Sequence, residues 1–116
     1  MKIKTIGAVL CSARFEEAIG WFEALFERAP DAMPMPGVAE WEFSAALFQL
    51  VDEPQRAGTG RATIFVDDLD VEIAGLALKN VAASEITEGT ISRLIEIEDL
   101  DGNLIALTQP RQVWSL

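Results

Sequence analysis

The side chains able to do chemistry are few, and most lack the partner their chemistry needs. Cys11 is the only cysteine and the chain has no histidine, so a thiol nucleophile would have no imidazole to take its proton. One thiol cannot close an internal disulfide either, and Cys11 reads as a small buried hydrophobe. None of the serines lies in a nucleophile-elbow sequence. Carboxylates are plentiful. Glu40 and Glu42, and again Glu96 and Glu98, stand two residues apart, which puts both members of a pair on one strand face and in principle supplies an acid and a base. In so acidic a chain the simpler reading of that spacing is two solvated charges. Asp67, Asp68 and Asp70 resemble a calcium cluster only superficially, because capping of a helix that begins there accounts for them. Trp41 faces away from Glu40 and Glu42 and is either core or a platform on which a flat ligand stacks. No residue is assigned a catalytic role.

The elements that must position these residues alternate in a simple order. Ile3 to Leu10 is apolar and β-branched, which predicts a strand covered on both faces, with Ser12 placed to cap a helix after it. Phe15, Ile19, Phe22 and Phe26 recur at helical spacing with Glu16, Glu17, Glu23 and Glu27 around the rest of the wheel, an amphipathic helix that ends before Pro30. Three prolines between Ala29 and Gly37 leave a loop or short edge strand, and strands are expected around Glu40 to Phe43 and Ala46 to Val51. After an acidic linker, Arg61 to Val66 predicts a strand, Asp67 or Asp68 a cap, and Leu69, Ile73 and Leu76 the apolar face of a helix through Lys79. Strands are expected around Ala83 to Thr87, Ile91 to Glu98 and Leu104 to Gln109, the last two joined by a turn at Asp101-Gly102-Asn103.

The two halves repeat. Moving 54 residues along the chain carries Phe15 onto Leu69, Ile19 onto Ile73 and Phe22 onto Leu76, while Leu47-Phe48-Gln49-Leu50 matches Leu107-Thr108-Gln109-Pro110 at an offset of 60. At 116 residues the chain is too short for two independent cores, so a single domain over 1–116 is expected, with a first module over 1–53, a linker over 53–60, a second module over 61–110 and a tail over 111–116. The predicted fold is α+β: two tandem βαβββ modules forming a curved mixed sheet around a central cleft.

Composition limits the partners. Half the residues are hydrophobic, and 19 acidic side chains against 9 basic ones give a net charge of −10, which opposes nucleic acid and anionic membranes. No apolar run is long enough to cross a bilayer and no signal-peptide core succeeds Met1, so cytoplasm is expected.

Several motifs carry a resemblance. Asp99-Leu100-Asp101-Gly102-Asn103 with Leu104 after it resembles the D-P-D-G-N-hydrophobic signature of the vicinal oxygen chelate superfamily, the group of glyoxalase I, extradiol dioxygenases and bleomycin-resistance proteins. Ala18 to Phe26 is similar to that family's first-helix pattern, and Val66-Asp67-Asp68-Leu69-Asp70 to its midpoint strand-to-helix turn. Metal-dependent members hold an ion with histidine and glutamate on the first and last strands of each repeat, positions the resemblance puts at Gly7, Gln49, Arg61 and Gln109. A glycine donates nothing, a guanidinium repels a dication, and neutral amides substitute poorly for carboxylate or imidazole, so the resemblance is to a member deficient in metal ligands and no metal or other cofactor is expected.

Strand alternation predicts a cleft lined by Thr5, Gly7, Val9 and Cys11, by Leu47, Gln49 and Val51, by Arg61, Thr63 and Phe65, and by Ile105, Leu107 and Gln109. The expected ligand-binding residues are Gln49, Arg61, Gln109, Trp41 and Phe65, with Arg61 holding an anionic or oxygen-rich organic molecule unless it pairs instead with Glu96 or Glu98. The function implied is small-molecule binding without a metal. One alternative is a lyase, isomerase or dioxygenase of the same superfamily using an atypical metal site or acid-base residues; another is a domain whose cleft is filled by its own side chains. Apolar content, with Trp114 near the end of the chain, predicts a homodimer.

Overall fold

The structure, a computed structural model, describes residues 1–111. Its order of elements is β1 (Ile6–Ser12), α1 (Phe15–Phe26), β2 (Ala32–Met35), β3 (Val38–Phe43), β4 (Ala46–Asp52), β5 (Arg61–Phe65), α2 (Leu69–Leu78), β6 (Thr87–Glu88), β7 (Ser92–Glu98) and β8 (Leu104–Pro110). This is an α+β fold of two successive βαβββ runs. The strands fall into two four-stranded mixed sheets, ordered β1-β4-β3-β2 and β5-β8-β7-β6. In each, the first strand runs parallel to the last and the rest are antiparallel. The chain divides into two compact units: Met1–Gly60 together with Asp99–Asn103, and Arg61–Glu98 together with residues 104–111.

Unit one is organised by aromatic side chains. Helical spacing brings Phe15, Ala18 and Phe22 of α1 to one buried face, and Phe22 and Phe26 meet Trp41 of β3 and Phe48 of β4. The Trp41 indole nitrogen, buried with the ring, donates to the Arg28 carbonyl oxygen at 3.0 Å, so the polar end of the side chain is satisfied as well. Glu27 ends α1 in the left-handed conformation. The N-terminal side differs from expectation. Ser12 does not cap the helix; its hydroxyl accepts from the Arg14 backbone N–H at 3.0 Å, and the Ala13 N–H is taken by Asp101 Oδ1 at 2.9 Å. Nor is β1 covered on both faces: it starts at Ile6, and Ile6 and Val9 are 73% and 48% exposed. Periodicity detects apolar content here but not the neighbour that the content implies.

The turn Asp99–Asn103 is built around two buried side chains. Asp99 Oδ1 accepts from the N–H groups of Asp101 and Asn103, and its Oδ2 accepts from Asn103 Nδ2 at 2.8 Å. Asn103, with no exposed surface, also donates to the Cys11 carbonyl at 2.9 Å and accepts from the Gly60 N–H at 2.8 Å. Gly102 takes a φ of 91°, which favours glycine, and a Cβ on Gly58 would lie 2.5 Å from the Asp101 carbonyl oxygen. Burial pushes the Asp99 carboxyl above the usual range despite those donors, which oppose the rise.

In unit two, Leu69 and Leu76 of α2 join Ala62, Ile95, Ile97, Ile105 and Leu107 in the core. Asp68 caps α2 as expected, accepting from Asp70 and Val71. The strand expected around Ala83 to Thr87 is reduced to β6 and an isolated bridge between Ala83 and Ile97. No helix among the described residues is long and apolar enough to cross a membrane.

Candidate functional site

Each sheet has one face against the helix of its unit and an opposite face, the open face, that carries no helix of that unit among the described residues. Residues directly opposite in a ladder share a face, so register assigns the sides. In unit one, Gly7, Val9 and Cys11 pair with Leu47, Gln49 and Val51, and these pair in turn with Glu42, Glu40 and Val38. All lie opposite the Trp41–Phe48 side. The face is apolar at Val9, Leu47, Val38 and Val51, carries the exposed Glu42 at one margin, and is polar at its centre, where Gln49 Nε2 donates a hydrogen bond to Glu40 Oε2. A methyl group at Gly7 would meet the Leu47 carbonyl at 3.5 Å, an ordinary contact, so packing does not demand the glycine. The sequence reading of this face as one surface agrees with the register, but Trp41 is not on it. A fully buried indole inside an aromatic cluster is core, and its place among the expected ligand contacts is corrected.

Unit two corrects a further assignment. Arg61, Thr63 and Phe65 pair with Leu104, Ala106 and Thr108, so they share the open face with those residues and with Glu98, Glu96 and Leu94. Ile105, Leu107 and Gln109 occupy the other side. Ile105 and Leu107 are core, and the Gln109 carboxamide oxygen accepts from the Leu69 N–H at 2.8 Å, helping Asp68 satisfy the start of α2. The cause is a repeat offset too long by three residues. Val9 pairs with Gln49; its counterpart 54 residues on, Thr63, pairs with Ala106, so the offset for the last strand is 57 and the equivalent of Gln49 is Ala106, not Gln109. An odd shift in a strand reverses the face.

Arg61 Nη1 lies 2.9 Å from Glu96 Oε2, with both side chains partly exposed. The guanidinium therefore has an anionic partner within the protein. Phe65 is 53% exposed on the same face. Cys11 is buried at the edge of the unit-one face; burial first, and then the Glu53 carboxylate 3.5 Å from Sγ, push its thiol pKa up and away from the reactive thiolate. Glu40 and Glu96 are the residues the sequence reading undervalued: solvated charges are the default for such spacing, yet each carboxylate engages a polar neighbour across the strands. Asn103 had a signal in the Asp-Gly-Asn turn, but a turn residue is not ordinarily a buried hub.

The donor set does not fit the family's metal. Gly7 offers no side chain, Gln49 turns its nitrogen to Glu40, Arg61 is a paired cation, and the fourth position is Ala106 or, by the sequence alignment, an already engaged Gln109. Among the described residues no three His, Cys, Asp or Glu side chains form a group able to hold a metal ion. Trp114 lies outside the described residues.

No protein-family model matches the sequence, and no curated protein matches it. Solved structures do. A glyoxalase/bleomycin resistance protein from Catenulispora acidiphila superposes with a TM-score of 0.82 at 26% identity, covering 92% of this chain and 98% of that one. TnmS3, an antibiotic binding protein from a Streptomyces species, gives 0.82 at 24% identity, covering 95% and 98%. Lactoylglutathione lyase from Agrobacterium tumefaciens gives 0.75 at 14% identity, covering 90% and 91%. The tandem βαβββ order, the Asp99–Asn103 turn and these likenesses agree: the chain has the fold of the glyoxalase and bleomycin-resistance proteins, the fold of the vicinal oxygen chelate superfamily.

Proposed function

We propose that the protein is a cytoplasmic, metal-independent binder of a small organic molecule. The observation that carries this reading is the chemistry at the four family positions, where a glycine, an amide bonded to a carboxylate, an ion-paired arginine and an alanine replace a dication's ligands. The open faces supply what a pocket for an organic ligand needs instead, apolar surface from Val9, Leu47 and Val51 with few polar groups among it. The likeness to a glyoxalase/bleomycin resistance protein supports the same reading. An anionic or oxygen-rich ligand rests on Arg61, whose Nη1 already faces Glu96, so an anion binds there in competition with a carboxylate or through the remaining guanidinium donors. Solvent-exposed apolar side chains on β2, Met33 and Met35, support a homodimer, for which light scattering on the purified protein gives the mass.

Native mass spectrometry of protein taken from its source, with metal analysis of the same sample, tests the proposal. A copurifying organic mass without stoichiometric metal is expected; stoichiometric zinc, nickel or iron removed only with loss of ligand binding would overturn it. Thermal shifts with that ligand on Arg61→Ala decide the role of the guanidinium. At about 100 times its Kd a ligand adds about 2.7 kcal/mol of stability, and an undiminished gain in the variant takes Arg61 out of the site.

A further inference from the structure

The hydrogen bond from Gln49 to Glu40 fixes more than a side-chain position. A carboxylate only accepts hydrogen bonds, whereas a carboxamide has a donating and an accepting end. Facing Glu40, Gln49 must turn its Nε2 toward the carboxylate, because the reversed amide would set oxygen against oxygen. The amide oxygen then points away from Glu40, and no described residue donates to it; the atom is not among the buried groups left without a partner. Around this pair the open face of unit one is apolar on β1 and β4, with Val9 beside Gln49 and Leu47 and Val51 two residues away on either side, and Glu42 is the further carboxylate on β3. None of the residues that the β1, β3 and β4 register puts on this face is basic.

We infer that Glu40 is a positioning residue that holds Gln49 with its carbonyl oxygen presented, so that this face selects an apolar molecule bearing a hydrogen-bond donor, such as an alcohol, an amide N–H or a protonated amine. The inference rests on the proposed function, in which the open face of unit one receives a ligand. It reverses the ligand polarity that Arg61 suggests from sequence: on unit one the polar centre presents the Gln49 oxygen beside the Glu40 carboxylate and carries no cation.

Three matched probes test it: 2-naphthalenemethanol, its methyl ether and 2-naphthoate, titrated calorimetrically into the wild-type protein. The alcohol is expected to bind about tenfold more tightly than the ether, a modest discrimination because the pair is only partly buried, and the carboxylate more weakly still. In Glu40→Leu the amide is released and the alcohol-to-ether ratio falls to about twofold or less, while Glu40→Gln, which keeps an accepting oxygen, restores it. A purely structural role for Glu40 would weaken both probes by the same factor and leave the ratio unchanged, which overturns the inference. The Gln49 side-chain amide signals in a nitrogen–proton NMR spectrum, identified by their loss in Gln49→Leu, report the orientation without any ligand: they move toward free-amide positions in Glu40→Leu and stay in place in Glu40→Gln. Equal binding of alcohol, ether and carboxylate overturns the donor preference and leaves the binding function standing. Failure of the wild type to bind any probe or any copurified compound removes the binding function, and the inference with it.

Discussion

Replacing Asn103 with alanine removes three hydrogen bonds at one buried point, those to the Cys11 carbonyl, to Asp99 Oδ2 and from the Gly60 N–H. Leaving a buried polar group unpaired costs about 1–3 kcal/mol, more when the group is charged. Two backbone groups and a carboxylate lose a partner here. Asp99 keeps its backbone donors from Asp101 and Asn103, and the space vacated by the carboxamide admits water, so the lower bound applies to each and the expected loss is about 3 kcal/mol. A chain of this length has a total stability of roughly 6–17 kcal/mol, which makes one side chain responsible for a large share of it. Urea denaturation tracked by tryptophan fluorescence measures the loss at constant m-value, and the melting temperature should fall by about 12 °C. Asn103→Asp is the sharper variant. It keeps the shape and the acceptor for Gly60, but sets an oxygen against both the Cys11 carbonyl and the Asp99 carboxylate, so at neutral pH it should cost more than alanine. A loss under about 1 kcal/mol in both variants would refute the view that this turn is locked by its buried network.

Trp41→Ala should lose about 3–5 kcal/mol, because it empties the centre of the aromatic cluster, while the folded fraction binds 2-naphthalenemethanol as the wild type does; weakened probe binding would return Trp41 to the site. The Asp99 carboxyl titrates above its unfolded value, so the native state holds the proton more tightly and the stability from this group is present at low pH and lost as pH rises through the folded pKa. The stability of wild type minus that of Asp99→Asn, measured by urea denaturation, should therefore decrease from about pH 4 upward, and a difference that increases with pH contradicts the sign.

How much of this was legible in the sequence depends on the range of the interaction. Helical spacing of Phe15, Phe22 and Leu69, Leu76 marks both helices, the Asp68 cap marks the start of the second, and the Asp-Gly-Asn turn marks the last hairpin, all from residues close together in the chain. The lack of histidine and the single cysteine likewise put imidazole ligation by this sequence and a disulfide within it out of reach. Strand faces were a different matter. Trp41 suits a core and a stacking platform equally until Phe22, Phe26 and Phe48 surround it. Gln49 and Gln109 look equivalent as letters, yet pairing with Val9 and with Arg93 sends one to the open face and the other to the helix side. The side-chain period of a strand is two residues, so a register error of one or three residues inverts the assignment, and register is set by partners dozens of positions away. Composition and local pattern thus determined which elements form, and only the pairing of distant strands decided which of their side chains a ligand can meet.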